Sequence, residues 1–337
     1  MTDARLLVSA LRDPATVANL AAEQWTDLIA IARAESLLGS LAHRLAGADA
    51  PARVALILAE ARTDAAQARR QALWEAEMAR RALAPLGVPV ILLKGTAYAA
   101  ADLPAAEGRS IGDLDILVPR DALPEVERAL LEAGWEWVKE DAYDDLYYRR
   151  WMHELPPLIH RERDRMIDVH HTILPLTARP RPDAAALIEA SLSLANGLRI
   201  LSPPDMIVHA AAHLFADGDL AGGLRNLWDI DRLLRAFGSR PGFWSELRKR
   251  AAQHGLDPAV RRAVRLAGKL YETPAPSGWL GTNTSDPPFE KRLLARNGWG
   301  QGTHPATRLG FYVRSHWLRM PPLMLARHLL TKARRPA

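Results

Sequence analysis

Two short apolar runs set the strongest limit on what this chain can fold into. VPVILLKG at 88–95 and DLDILVP at 113–119 are rich in Val, Ile and Leu, bounded by Pro or Gly, and too short for buried helices. Both are therefore expected to be buried strands. The flanking sequence follows a different period. From Asp3 to about Leu86 apolar residues recur at helical spacing, with one long helix expected over 51–86. Beyond 177, PDMIVHAAAHLFADGD, GGLRNLWDIDRLLRAFG, FWSELRKRAAQHG and DPAVRRAVRLAGKLYE carry helical stripes again. Further strand signals lie between about 88 and 174: WEWVKE at 135–140, and RRWMHELPPLIH with RMIDVHHTIL, which read as a hairpin-like pair around charged RERD. The expected fold class is α+β. A small mixed sheet at 87–176 would sit between an N-terminal helical region at 1–86 and a C-terminal helical region with a basic tail at 177–337.

Composition narrows the chemistry. The 337 residues are 48% apolar and 25% charged, ordinary for a globular protein and long enough for two or three packed units. There is no cysteine, which excludes disulfides, thiolate metal sites and a thiol nucleophile. Any metal must then sit on oxygen or imidazole ligands, and hard cations such as magnesium come first. The amino terminus lacks a basic stretch leading into an apolar one, and no run approaches a membrane span, so a cytoplasmic address is expected. The formal charge of +5 is uneven, because ten Lys and Arg and no acidic residue follow Glu290.

The candidate chemistry lies at the edges of the apolar runs. Alternate residues of a strand share a side, so Asp113 and Asp115 would project together at the mouth of the second run. Two adjacent carboxylates repel unless a cation lies between them. Asp168, in RMIDVHHTI, could add a third carboxylate from a neighbouring strand, and three such groups can hold the ions that clamp a transferring phosphoryl group. Gly95, after a strand and before an expected helix, allows close backbone approach to phosphates. Lys94 and Arg109 could add positive charge there.

Taken together, the strand ending in Lys94-Gly95, then Arg109, then Asp113-Leu-Asp-Ile-Leu-Val, then Ile167-Asp-Val-His-His resembles the uncharacterised nucleotidyltransferase family of the DNA polymerase beta superfamily. The resemblance implies that Gly95 holds the glycine-motif position, that Asp113, Asp115 and Asp168 bind Mg2+, or Mn2+, and that Lys94 and Arg109 occupy positions typical of this branch. Thr96 stands where the superfamily commonly has Ser, and the spacer from Gly95 to Asp113 is longer than in minimal members. The likeness runs over roughly 80–237, including the two histidines and Arg-Asn-Leu-Trp-Asp-Ile of the helical half. It implies transfer of a nucleoside monophosphate from a nucleoside triphosphate, ATP by default, to an acceptor the sequence does not identify: a peptide, protein or small molecule are open, and nucleic acid is open but not favoured.

Each reading has a plainer counterpart. Asp168 could be neutralised by Arg163 or Arg165, and Lys94 and Arg109 could merely balance the aspartates. By strand period His170, not His171, shares the side of Asp168, as a pocket residue or a hydrogen-bonding core histidine. His209 and His213, four apart on an expected helix, could line a substrate pocket, bind zinc or simply pack, and Asp229 could reach the same pocket. The basic tail could dock an anionic partner or be a solvated helix face. The whole could also be a non-catalytic nucleotide-sensing or partner-binding module on the same fold.

Overall fold

A computed structural model describes residues 3–139 and 141–319. The tail from 320 to 337, which carries part of the basic excess, lies outside the described residues.

Four helices come first: α1 (Arg5–Arg12), α2 (Ala22–Ala34), α3 (Leu38–Arg44) and α4 (Ala52–Leu83). The 32 residues of α4 span about 48 Å at the usual helical rise. Its buried face is mostly alanine (Ala61, Ala65, Ala72, Ala76, Ala79), so α3, α5 and α6 can approach its backbone closely. The sheet region follows, with β1 (Ile91–Leu92), α5 (Lys94–Ala100), β2 (Leu114–Leu117), α6 (Leu123–Glu132), β3 (Trp135–Trp137), α7 (Ala142–Trp151), β4 (Leu158–His160) and β5 (Met166–His170). Then come α8 (Ala184–Glu189), β6 (Leu192–Ser193), β7 (Arg199–Ile200) and the helices α9 (Pro203–Ala211), α10 (Gly223–Phe237), α11 (Phe243–Gln253), α12 (Asp257–Tyr271), α13 (Pro287–Leu293) and α14 (Pro305–Arg319).

The seven strands form one mixed sheet in the order β3-β4-β5-β2-β1-β7-β6. At its centre β2 runs parallel to β5 and antiparallel to β1. Every residue of β2 is buried, as its uninterrupted apolar pattern around Asp115 requires. The α+β class and the two central strands agree with the sequence. Two expectations are corrected. Arg149–Trp151 belong to α7 and not to a strand, because Arg149 pairs one turn back with Asp145 and across to Glu127. The sheet also continues past 174, through β6 and β7, a hairpin closed by Leu194 accepting from and donating to its own turn near Gly197, whose φ is +87°. Its second strand pairs parallel with β1.

Buried apolar residues from α1 to α14 form one continuous core. No helix among the described residues is long and apolar enough to cross a membrane. Long-range ion pairs pin helices to the sheet and to each other. On α4, buried Glu75 accepts two bonds from Arg163, at 2.8 and 3.0 Å. Between α9 and α11, fully buried Asp205 accepts from Arg250 Nε and Nη2, both at 2.7 Å, and faces His254 at 3.4 Å.

Burial alone would raise the Asp205 carboxyl, but His254, Arg250 and Ser202 outweigh it and hold it below its ordinary value. A carboxyl lowered in the folded state stabilises the fold above its unfolded value, and that contribution disappears as pH falls through the folded one. Asp205→Asn should therefore cost about 3–5 kcal/mol at pH 7, by stranding buried Arg250, and a smaller amount near pH 3. Urea unfolding at the two pH values measures both.

Candidate functional site

The parallel register of β2 and β5 sets Asp115 directly beside Asp168, and Asp113 lies just before β2 on the same side. Asp113, Asp115 and Asp168 each offer an oxygen within 4.8 Å of the others. Neither arginine that might have neutralised Asp168 does so. Arg163 is committed to Glu75, and Arg165 reaches Gln71 and the Gly112 carbonyl. Burial, then the negative charges of Glu154 and Asp115, push the Asp168 carboxyl up to about 7. Three crowded carboxylates, one of them reluctant to ionise, are a donor set that fits a hard divalent cation.

Asp115 is the deepest member, 3% exposed. Lys94 Nζ donates to its Oδ1 at 2.6 Å, and His170 Nε2 donates to the same oxygen at 3.0 Å. Burial would raise Asp115, yet these two neighbours hold it far below the carboxylate range. Strand period explains why His170 shares this side: it stands two residues beyond Asp168. His171 points elsewhere, and burial, then Arg120, lower its imidazole to about 4.

The elbow between β1 and α5 carries Lys94 with φ at +47°, a left-handed conformation rare for a long side chain, which turns its ammonium back toward Asp115. The next residue must be glycine for a reason the sequence did not suggest. A Cβ on Gly95 would collide with the Arg109 guanidinium. Arg109, 5% exposed, lies 5.7 Å over the Tyr98 ring and donates through Nε to both oxygens of Asp229, at 3.0 and 3.2 Å. It joins the loop before β2 to α10, and Asp229 rather than the aspartate pair is its partner. That loop is itself set by two glycines in mutual contact: a Cβ on Gly108, whose φ is +65°, would overlap the Gly39 backbone in α3.

These groups line one cleft. Its floor holds Lys94, Gly95, Asp113 and Asp115; Tyr98 and Arg109 form one side, and His209, His213, Arg225, Asn226 and Asp229 the other. Thr96 is buried in α5 and is not among the lining residues. Asp168 and His170 are not among the lining residues but adjoin Asp115, Asp168 as its register partner and His170 by hydrogen bond. His209 is buried at the end of α9, where burial and the Lys94 charge keep its imidazole well below its ordinary value and hence neutral. The backbone from Ala212 to Asp217 widens to an i→i+5 turn, a feature often found at functional sites, and turns His213 toward Asn226 at 3.3 Å. His209 and His213 belong to no set of three ligating side chains among the described residues. Arg225 and Asn226 were missed in the sequence, although both stand in the Arg-Asn-Leu-Trp-Asp-Ile run; Arg225 reaches the Ser110 carbonyl at 3.4 Å.

Residues 21–272, about three quarters of the chain, match the model of a family described as uncharacterised nucleotidyltransferase. No curated protein gives a significant match.

The Gly95–Arg109 contact makes a direct prediction. Gly95→Ala should destabilise the protein by about 1–3 kcal/mol, because the guanidinium must leave its place over the elbow. Thermal melting should show this, and removing the obstructing side chain with Arg109→Ala should not add its full separate cost on top.

Proposed function

The chain belongs to the uncharacterised nucleotidyltransferase family of the polymerase-beta-like superfamily, and from that premise we propose that it transfers a nucleoside monophosphate from a nucleoside triphosphate, ATP by default, to an acceptor with release of pyrophosphate. The observation that carries this reading is the convergence of Asp113, Asp115 and Asp168, the first two of which line a cleft that also holds Lys94 and Arg225. A magnesium or manganese ion held by the three carboxylates would neutralise phosphate charge and align the reacting oxygens.

The chain's own residues have distinct tasks in this scheme. Lys94 and Arg225 hold the triphosphate by charge, Lys94 from the floor and Arg225 from the wall. Arg109, committed to Asp229, keeps both cleft walls in register and excludes water behind the glycine elbow. The acceptor oxygen attacks the α-phosphorus, its bond to phosphorus forms as the bond to the bridging oxygen of the β-phosphate breaks, and pyrophosphate leaves. Asp168, beside Asp115 in the strand register, would share the ion and polarise the acceptor oxygen. Neutral His209 is available to hydrogen-bond the substrate. A peptide, a protein or a small molecule would serve as acceptor.

A second reading has a specific observation behind it. Asp115 is already compensated by Lys94 and His170, so the site is electrostatically stable without a cation. A non-catalytic nucleotide-sensing or partner-binding module on this fold would look the same, and would bind nucleotide without releasing pyrophosphate.

Asp113→Asn combined with Asp115→Asn should reduce pyrophosphate release by about 1,000-fold or more, the effect of losing several kcal/mol of charge stabilisation. Transfer that survives this double substitution overturns the proposal. Arg225→Ala should instead raise KM for the triphosphate about tenfold with a smaller change in kcat, which steady-state kinetics would separate.

A further inference from the structure

Behind the carboxylates lies a second cluster that the proposed transfer does not use. His153, Glu154 and His170 offer ligand atoms within 4.8 Å of one another. The backbone builds this arrangement. Glu154 pairs with His170 as an antiparallel bridge on β5, Leu155 donates to Val169 at 2.9 Å, and His171 donates to His153 at 2.8 Å. The two imidazole rings sit 5.2 Å apart. Glu154 Oε2 is 3.3 Å from His170 Nδ1 and 3.7 Å from His153 Nε2.

The hydrogen-bond accounting points into the gap between them. His170 is 3% exposed, and its Nδ1 makes no hydrogen bond among the described residues; the same holds for the buried Nδ1 of His153. An unmet ring nitrogen this deep is costly, and His170 Nδ1, which faces the Glu154 carboxylate, calls for a partner in the gap; His153 turns its other nitrogen, Nε2, toward the same carboxylate. A tetrahedral ion with bonds of about 2.0–2.1 Å separates its ligand atoms by about 3.3–3.4 Å, close to the spacings around Glu154 Oε2. The far nitrogen of His170 already donates to Asp115, as the outer nitrogen of a metal-bound imidazole commonly donates to a carboxylate.

We propose that His153, Glu154 and His170 form a second metal site, distinct from the three aspartates, that takes a zinc-type dication. Two imidazoles and one carboxylate suit zinc, whereas the all-oxygen aspartate set suits magnesium. Three protein ligands leave a coordination position for water. The ion would fix the ring of His170 and, through it, the position of Asp115. The inference does not depend on the chain being a transferase.

Cobalt(II) serves as a visible stand-in for zinc. Titrated into the full chain held in excess magnesium, which occupies the aspartates, it should bind with one equivalent and give the d–d absorption of a low-coordinate site, and X-ray absorption of the zinc-loaded protein should show imidazole scatterers. Glu154→Gln should weaken zinc binding by more than about 100-fold, beyond the 10–100-fold typical of losing an outer hydrogen bond. Asp113→Asn should leave zinc affinity unchanged. The proposal is overturned if no cobalt binds, if the zinc shell contains oxygen ligands alone, or if Asp113→Asn abolishes binding while Glu154→Gln does not. The X-ray absorption measurement needs no variant, so a misfolded Glu154→Gln chain leaves the test intact.

Discussion

Burying the Asp115 carboxylate is the constraint around which the centre of this molecule is arranged. A charge withdrawn from water at the middle of a sheet must be met by opposite charge and hydrogen bonds, or it would protonate. Lys94 adopts a left-handed backbone to reach it, and His170 approaches from the adjoining strand. Asp168, set beside Asp115 by strand register, has no such cation of its own among the described residues. The asymmetry sets two of the three carboxylates apart, Asp115 held firmly ionised and Asp168 raised to about 7.

The helical regions are more than packing around that sheet. Arg109–Asp229 ties the loop before β2 to α10, and Glu75–Arg163 ties α4 to the turn between β4 and β5. Glu35 at the end of α2 accepts from Arg296 at 2.7 Å and from the Leu224 backbone at 3.2 Å, so the amino-terminal helices, α10 and the segment after α13 meet at one side chain. Burial raises the Glu35 carboxyl despite these partners. Positioning a cleft between a sheet and a helix pair requires both walls to be fixed, and these buried pairs do so at fixed distances where apolar contact alone would let the helices slide.

Much of this was legible before the structure, and for a definite reason. Strand period places Asp113 and Asp115 on one side and singles out His170 over His171, and short apolar runs between Pro and Gly identify β1 and β2. The parallel pairing of β2 with β5 was not legible from period alone, since register between distant strands depends on tertiary packing. Two-residue strands such as β6 and β7 are too short to carry a period. Glu154 and His153 were hidden because RRWMHE reads as one extended run, whereas it divides between the end of α7 and a bridge onto β5. Gly95 was read as a point of close approach for phosphates; that a guanidinium fourteen residues on packs against it follows only from the fold.

Helix α1 meets the far part of the chain directly. Ala4 donates to the Leu294 carbonyl at 3.4 Å, Arg5 lies 3.6 Å from Glu290, and Arg12 pairs with Glu272 at 2.9 Å. During synthesis, the apolar face formed by Leu7, Val8 and Leu11 then remains partly uncovered until α12, far along the chain, has been made, a delay on the order of tens of seconds at ordinary elongation rates. Helix α1 is thus fully covered only late in synthesis, and the newborn chain passes through an interval in which that amphipathic segment is a natural client for a chaperone.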